Sequence, residues 1–375
     1  MTNRNIDPNF TSEVQELVRW QMPTGDDNSI SDDLVAWNKM KILLEESVEQ
    51  NKIFTNPIIS TYNLVYTADG AYLGGILDLE GNIHFVPLLA PVGQKINKKG
   101  VVSTYSLIYT TSQAYAGAVL STNGEVHFVP RNAEVGQKIN YYGAVSTYSL
   151  VYTNSLAYSG GVLSPNGDIH FVPLSGEVGQ KISTDGTVST YSLIYTYSPF
   201  AYMGGVLGPD GSIHFVPHTA PVGQKISADG TVSTYSLIYT TEFAYTGGVI
   251  SVNGDIHFVP RLATVGQKIN INNVVSTYSL VYASEEGEAT YSGGVLAQDG
   301  SVHFTPREAS VGQKINSEGT VSTYNISSDV YVGGIISQEG DIHFIPRDAS
   351  VGMKINIAAE ADWSKISLSP YFNKF

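Results

Sequence analysis

The sequence predicts an all-β protein assembled from seven copies of one unit, each supplying four short antiparallel strands. Three observations predict it. An "HFVP" element, once "HFTP" and once "HFIP", occurs seven times, with histidines at His84, His127, His170, His214, His257, His303 and His343. Their spacings are 43, 43, 44, 43, 46 and 40 residues, and the irregular ones coincide with the insert "SEEGEAT" (284–290) and the clipped "NISSDV" (325–330). Second, each copy carries two glycine-turn signals. Third, the chain holds 37 Gly and 24 Tyr among 375 residues, a composition suited to many short strands joined by tight turns.

One copy shows the elements in order: "STYSLVYT" (146–153), "AYSGGVLS" (157–164), "DIHFVP" (168–173) and "VGQKIS" (178–183). The second and third pieces are joined through "PNG", a hairpin signal, and every equivalent turn keeps its glycine, from Gly81 to Gly340. The fourth piece turns into the next "STY" through Gly100, Gly143, Gly186, Gly230 or Gly319, with Asn273 as the exception. Asparagine is the side chain best tolerated at positive φ, so the exception itself marks a left-handed position. Four strands in about 43 residues, seven times over, specify a seven-bladed β-propeller. A β-solenoid is the runner-up, but it would need distinct end caps, and here the end copies resemble the middle ones.

The "GG" strand is expected innermost, where backbones approach most closely. The first "STYNLVYT" (60–67) then precedes the first complete blade and is expected as the outer strand of the last, closing the ring. The propeller spans 57–356. Residues 1–56 share nothing with the repeat and form an N-terminal extension with two helical patterns. One carries Val14, Leu17, Val18 and Met22, the other Leu34, Trp37, Leu44 and Val48 with Ser31 as N-cap. The C-terminal tail, 357–375, is aromatic-tipped. Both ends suit packing on the ring or docking to a partner.

Composition excludes several functions. A net charge of −14 argues against nucleic acid and against adsorption to anionic membranes. With no cysteine there are no disulfides or thiolate sites. No secretory signal and no run of 18 apolar residues are visible, which predicts no membrane insertion and, if the protein works outside its cell, release by another route such as lysis.

The repeated histidine alternates with core residues on a strand covered on both faces, so it reads as a buried neutral imidazole with a structural hydrogen-bonding role. The Ser, Thr and Tyr of "STY" and the Lys of "GQK" are its candidate partners. His218, alone in a loop, is expected to do nothing specific. The "AY" tyrosines (such as Tyr158) and "STY" tyrosines (such as Tyr148) read as packing residues, with strand-end tyrosines able to line shallow sites between blades. No phosphate loop, "GxSxG" or "HExxH" occurs, and the copies are too alike for the one-blade asymmetry of propeller enzymes, so no enzyme, no metal and no cofactor are expected.

The pattern "GGVLxxxGxIHFVP" with "STYSLVYT" resembles the Gly-rich propeller repeats of proteins from bacteria and their phages, marine and cyanobacterial phages in particular. The likeness covers 57–356. The paired glycines are also similar to kelch blades, without the kelch Trp and second Tyr pattern. The tandem similarity resembles propeller lectins, from which no site residue carries over.

The resulting expectation is a non-enzymatic structural or adhesion propeller, a phage virion protein contacting other virion proteins or copies of itself through 1–56 and the tail. A multivalent lectin binding surface glycans is the alternative, and an intracellular scaffold of cytoplasmic location the third reading. The residues after each "HFVP" element ("LLA", "RNA", "LSG", "HTA", "RLA", "REA", "RDA") vary most and are where recognition would be placed.

Overall fold

The computed structural model describes residues 58–356, apart from 197–198, 284–286 and 327–329. The helical patterns expected in 1–56 and the tail 357–375 lie outside the described residues. Strand β1 (Ile58–Asn63) is followed by a blade of β2 (Tyr72–Leu77), β3 (Ile83–Pro87), β4 (Val92–Ile96) and β5 (Val102–Ser106), paired antiparallel in that order. Strands β6 to β25 repeat this through five more blades, and β26 (Tyr331–Ile336), β27 (Ile342–Pro346) and β28 (Val351–Asn356) form the seventh. In that blade β1 lies antiparallel beside β28, with Ile58 opposite Asn356 and Asn63 opposite Val351. The architecture is a seven-bladed β-propeller with four antiparallel strands per blade.

Local chemistry explains the blade. All seven turn glycines between first and second strands have positive φ, 77° to 89°, and Asn273 takes its glycine-like turn at φ 61°. At the axis, a methyl placed on Gly160 would sit 2.9 Å from Gly204 Cα, and one on Gly333 3.6 Å from Gly74 Cα. Glycine is favoured here because neighbouring inner strands meet backbone to backbone at Gly160 and because both positions have positive φ, 86° and 77°.

Each core lies between blades. Tyr158, Phe171 and Ile169 of the third blade pack with Val119 and Val129 of the second. The inner-strand tyrosine is fully buried in every blade, and its hydroxyl donates to the first residue of the third strand, as Tyr158 does to the Val178 carbonyl at 3.0 Å. A large apolar ring is thereby buried with its polar tip satisfied.

The loops crossing from blade to blade are clamped by a glutamine. Gln180 is fully buried, and its Oε1 accepts from Val151 N at 2.9 Å and Tyr152 N at 2.8 Å. Gln94, Gln137, Gln224, Gln267 and Gln313 repeat the arrangement. In the seventh blade the position is Met353, buried among apolar residues that include Ile326.

Candidate functional site

Each second strand ends in proline, and the next residue is pinned at an equivalent point around the axis by a backbone bond to the inner strand's lead-in. Arg131 N, His218 N and Arg261 N donate to the carbonyls of Ala114, Ala201 and Ala244 at 2.8 to 2.9 Å. The frame fixes this backbone seven times over, whereas the side chain changes: Leu88, Arg131, Leu174, His218, Arg261, Arg307 and Arg347. These side chains line a cavity of about 300 Å³ at one mouth of the central channel.

All four arginines among the described residues stand in this ring. Their Nε atoms in Arg131, Arg307 and Arg347 are buried and make no hydrogen bond. The nearby carboxylates are committed elsewhere. Glu308 accepts from Ala289 N at 3.0 Å and stands 3.6 Å from Arg307 Nε. Asp348 accepts from Gly70 N at 2.6 Å and stands 3.9 Å from Arg347 Nε. Burial, and then the charge of Arg347, oppose the charged forms of Arg131 and Arg307. Arg261 lies 5.5 Å from the centre of the Phe243 ring.

His218, read from the sequence as lying alone in a loop, is not isolated. It is buried in the same ring, its Nδ1–H donates to the Tyr245 carbonyl at 2.7 Å, and its edge meets the Phe243 ring. Burial outweighs that hydrogen bond and, with Arg261, Arg307 and Arg131 adding, holds its imidazole down at about 4. At neutral pH it is therefore uncharged, with Nε2 an acceptor.

The loop residues around the mouth are held unusually. Gln113, Phe200 and Phe243 line it with φ of 53°, 62° and 58°, a left-handed conformation that glycine adopts at the equivalent Gly70. Non-glycine residues in this region cost about 1–2 kcal/mol each, and such outliers gather at ligand sites.

The seven repeat histidines are not brought together. Each sits on a second strand with Nδ1 at 3.2 to 3.5 Å from the hydroxyl of an outer-strand tyrosine, as His170 does with Tyr191, and none lines the mouth. The repeated lysine takes a different partner: Lys181 Nζ lies 2.7 Å from Asp168 and Lys268 Nζ 2.6 Å from Asp255, in the glycine turns.

The opposite mouth opens onto a second cavity of about 420 Å³, bordered by aliphatic residues of every inner strand, such as Val162 and Leu163.

No family model matches the chain, and no curated protein matches it in sequence. Among solved structures it is similar to a streptogramin B lyase, with a TM-score of 0.69 and 21% identity over 80% of this chain and 98% of that one. It is similar to virginiamycin B lyase from Staphylococcus aureus, solved as a catalytically inactive variant with quinupristin, at TM-score 0.69 and 20% identity over 80% and 99% of the two chains. The WD40 propeller domain of Doa1 matches at TM-score 0.62 and 10% identity, over 81% and 98%. These likenesses establish the propeller fold. They also correct the exclusion of an enzyme drawn from the near-identity of the blades, because the lyases are enzymes on this same fold. The asymmetry thought to be missing is present at the mouth.

Proposed function

We propose that the chain is a recognition propeller that takes an anionic group of its ligand, a carboxylate or phosphate, at the arginine-lined mouth. The observation that carries this reading is the gathering of all four described arginines at one point of a chain with net charge −14. Guanidinium groups offer planar, paired donors that match such oxyanions, and partial burial strengthens the attraction. The neutral His218 adds an acceptor without adding charge, and Phe200 and Phe243 supply apolar walls. Calorimetric titration with phosphate, sulfate and citrate tests it. Saturable binding is expected, weakened about tenfold by Arg131→Ala or Arg307→Ala, the scale of one charge-assisted hydrogen bond. Equal binding by wild type and both variants, or no saturable heat with any anion, overturns the reading.

A second feature favours the adhesion reading, with the chain as a phage virion component. Val65, Ile108, Val151, Ile194, Ile238 and Val281 are each 60–61% exposed, in the same connecting loops that send Gly70 and Gln113 to the mouth. Regularly spaced aliphatic studs are a contact surface rather than scattered exposure. We take their partner to be another virion protein. Peptides of this chain in purified particles, with loss of incorporation in an Ile194→Asp, Ile238→Asp variant, are the expected result. Absence from particles removes the virion assignment.

A further inference from the structure

The geometry points to a carbohydrate subsite in the gap between the first and second blades, on the end of the ring away from the arginine mouth. It is independent of the anion site. The seven-fold repeat supplies its own control here, since two departures found in no other copy coincide at this one gap with a lysine that lacks a carboxylate partner among the described residues.

The first departure is aromatic. The turn joining the third and outer strands of the second blade reads Asn140-Tyr141-Tyr142-Gly143, and no equivalent turn carries an aromatic residue. Tyr142 is 89% exposed and Tyr141 49%, with ring centres 5.5 Å apart at 83°. The turn is preset, because Asn140 Oδ1 accepts from Tyr142 N at 3.0 Å and Ala144 N at 2.9 Å.

The second departure faces it from the first blade, where Asp78 replaces the Ser, Gly or Ala of other copies. Its carboxylate accepts from Glu80 N, Asn82 N and Asn82 Nδ2 at 2.7 to 2.9 Å and lies 3.0 Å from His84 Nε2. Asp78 is thus saturated and locks its turn. Among the described residues the Glu80 carboxylate accepts only a long bond from Asn82 Nδ2, at 3.4 Å.

The third feature is a cation, which this gap shares with the sixth blade's Lys314. Asn82 stands where four other blades place Glu125, Asp168, Asp255 or Asp341, each of which pairs with its blade's lysine, and where two place Ser212 and Ser301. Lys95 has no ion pair among the described residues. Lys95, Glu80 and the two tyrosines border a cleft of about 60 Å³.

An exposed aromatic face beside one free donor and one free acceptor fits a pyranose. Its C–H face stacks on the Tyr142 ring, and its hydroxyls accept from Lys95 and donate to Glu80. An anion would meet Asp78 and Glu80. An apolar ligand would leave Lys95 and Glu80 unpaired.

The test is saturation-transfer NMR and titration of the full chain with free glucose, galactose, mannose and N-acetylglucosamine and their disaccharides. At least one sugar is expected to saturate, with affinity lowered about tenfold by Tyr142→Ala and less by Lys95→Met. Arg131→Ala is expected to leave sugar affinity unchanged, which separates this site from the mouth. Tyr142 is exposed, so an unaltered melting temperature verifies the fold of the variant. The inference is overturned if no sugar saturates, if Tyr142→Ala binds as wild type does, or if sugar binding is lost on Arg131→Ala.

Discussion

The hydroxyl of Tyr191 lies 3.3 Å from Nδ1 of His170, and the ring crosses the strand between them directly over Gly179. A methyl on Gly179 would stand 2.2 Å from the tyrosine ring. The same triple recurs in every blade, so the glycine of "VGQK" exists to let the outer strand reach the second one. Gly179→Ala is expected to lower stability by about 2–3 kcal/mol, as overpacking does, and Tyr191→Phe by about 1 kcal/mol. Urea denaturation of the two variants checks the order. No loss of stability in Tyr191→Phe would deny the histidine its role in holding the blade together.

Removing the fully buried glutamine clamp should be costly. Gln180→Ala leaves two loop N–H groups without their acceptor, and a loss of about 2 kcal/mol is expected. Met353→Gln in the seventh blade should give no matching gain, since that site is apolar. Thermal unfolding of both variants reads the difference.

The histidines make stability depend on pH in one direction. Burial holds His127, His170, His214, His218, His257, His303 and His343 down at about 4, against an ordinary value of 6.5. The unfolded chain therefore binds more protons between those values. Stability is full above the unfolded value and is lost as pH falls towards 4. Melting temperature should be flat from about pH 8 to 7 and fall steeply by about pH 5. His170→Gln should lessen the slope by close to one proton's share. A level profile down to pH 5 would contradict the burial of these rings.

At the mouth, Asp348 both holds Gly70 N and opposes incoming anions. Asp348→Asn keeps an acceptor for Gly70 and removes the charge. Phosphate affinity should rise about threefold, the scale of a partly exposed ion pair, and the gain should vanish at high salt. Titration at two ionic strengths distinguishes this from a change in fold.

Much of the frame was legible because each backbone requirement is written seven times. The turn glycines, Asn273 in their place, and the "GG" inner strand all announce a conformational need that only a few residues meet. The site was less legible. Arg131, Arg261, Arg307 and Arg347 are visible in a variable position, but their convergence depends on the axis, which no local pattern contains. His218 looked isolated because its hydrogen-bond partner, Tyr245, belongs to the next blade. The "GQK" lysine looked like the histidine's partner, yet it pairs with turn carboxylates, and the glutamine beside it proved to be the clamp.

The glycine collar at the axis limits how this molecule can diversify. The collar is main chain meeting main chain, so side-chain exchange has little hold on it: a methyl added at Gly160 or Gly293 would push two blades apart, and one at Gly74 or Gly333 would strain a left-handed backbone. Selection can rewrite what the two ends of the tunnel recognise while its gauge stays constant. Related chains should therefore differ most at their rims and scarcely at all in calibre.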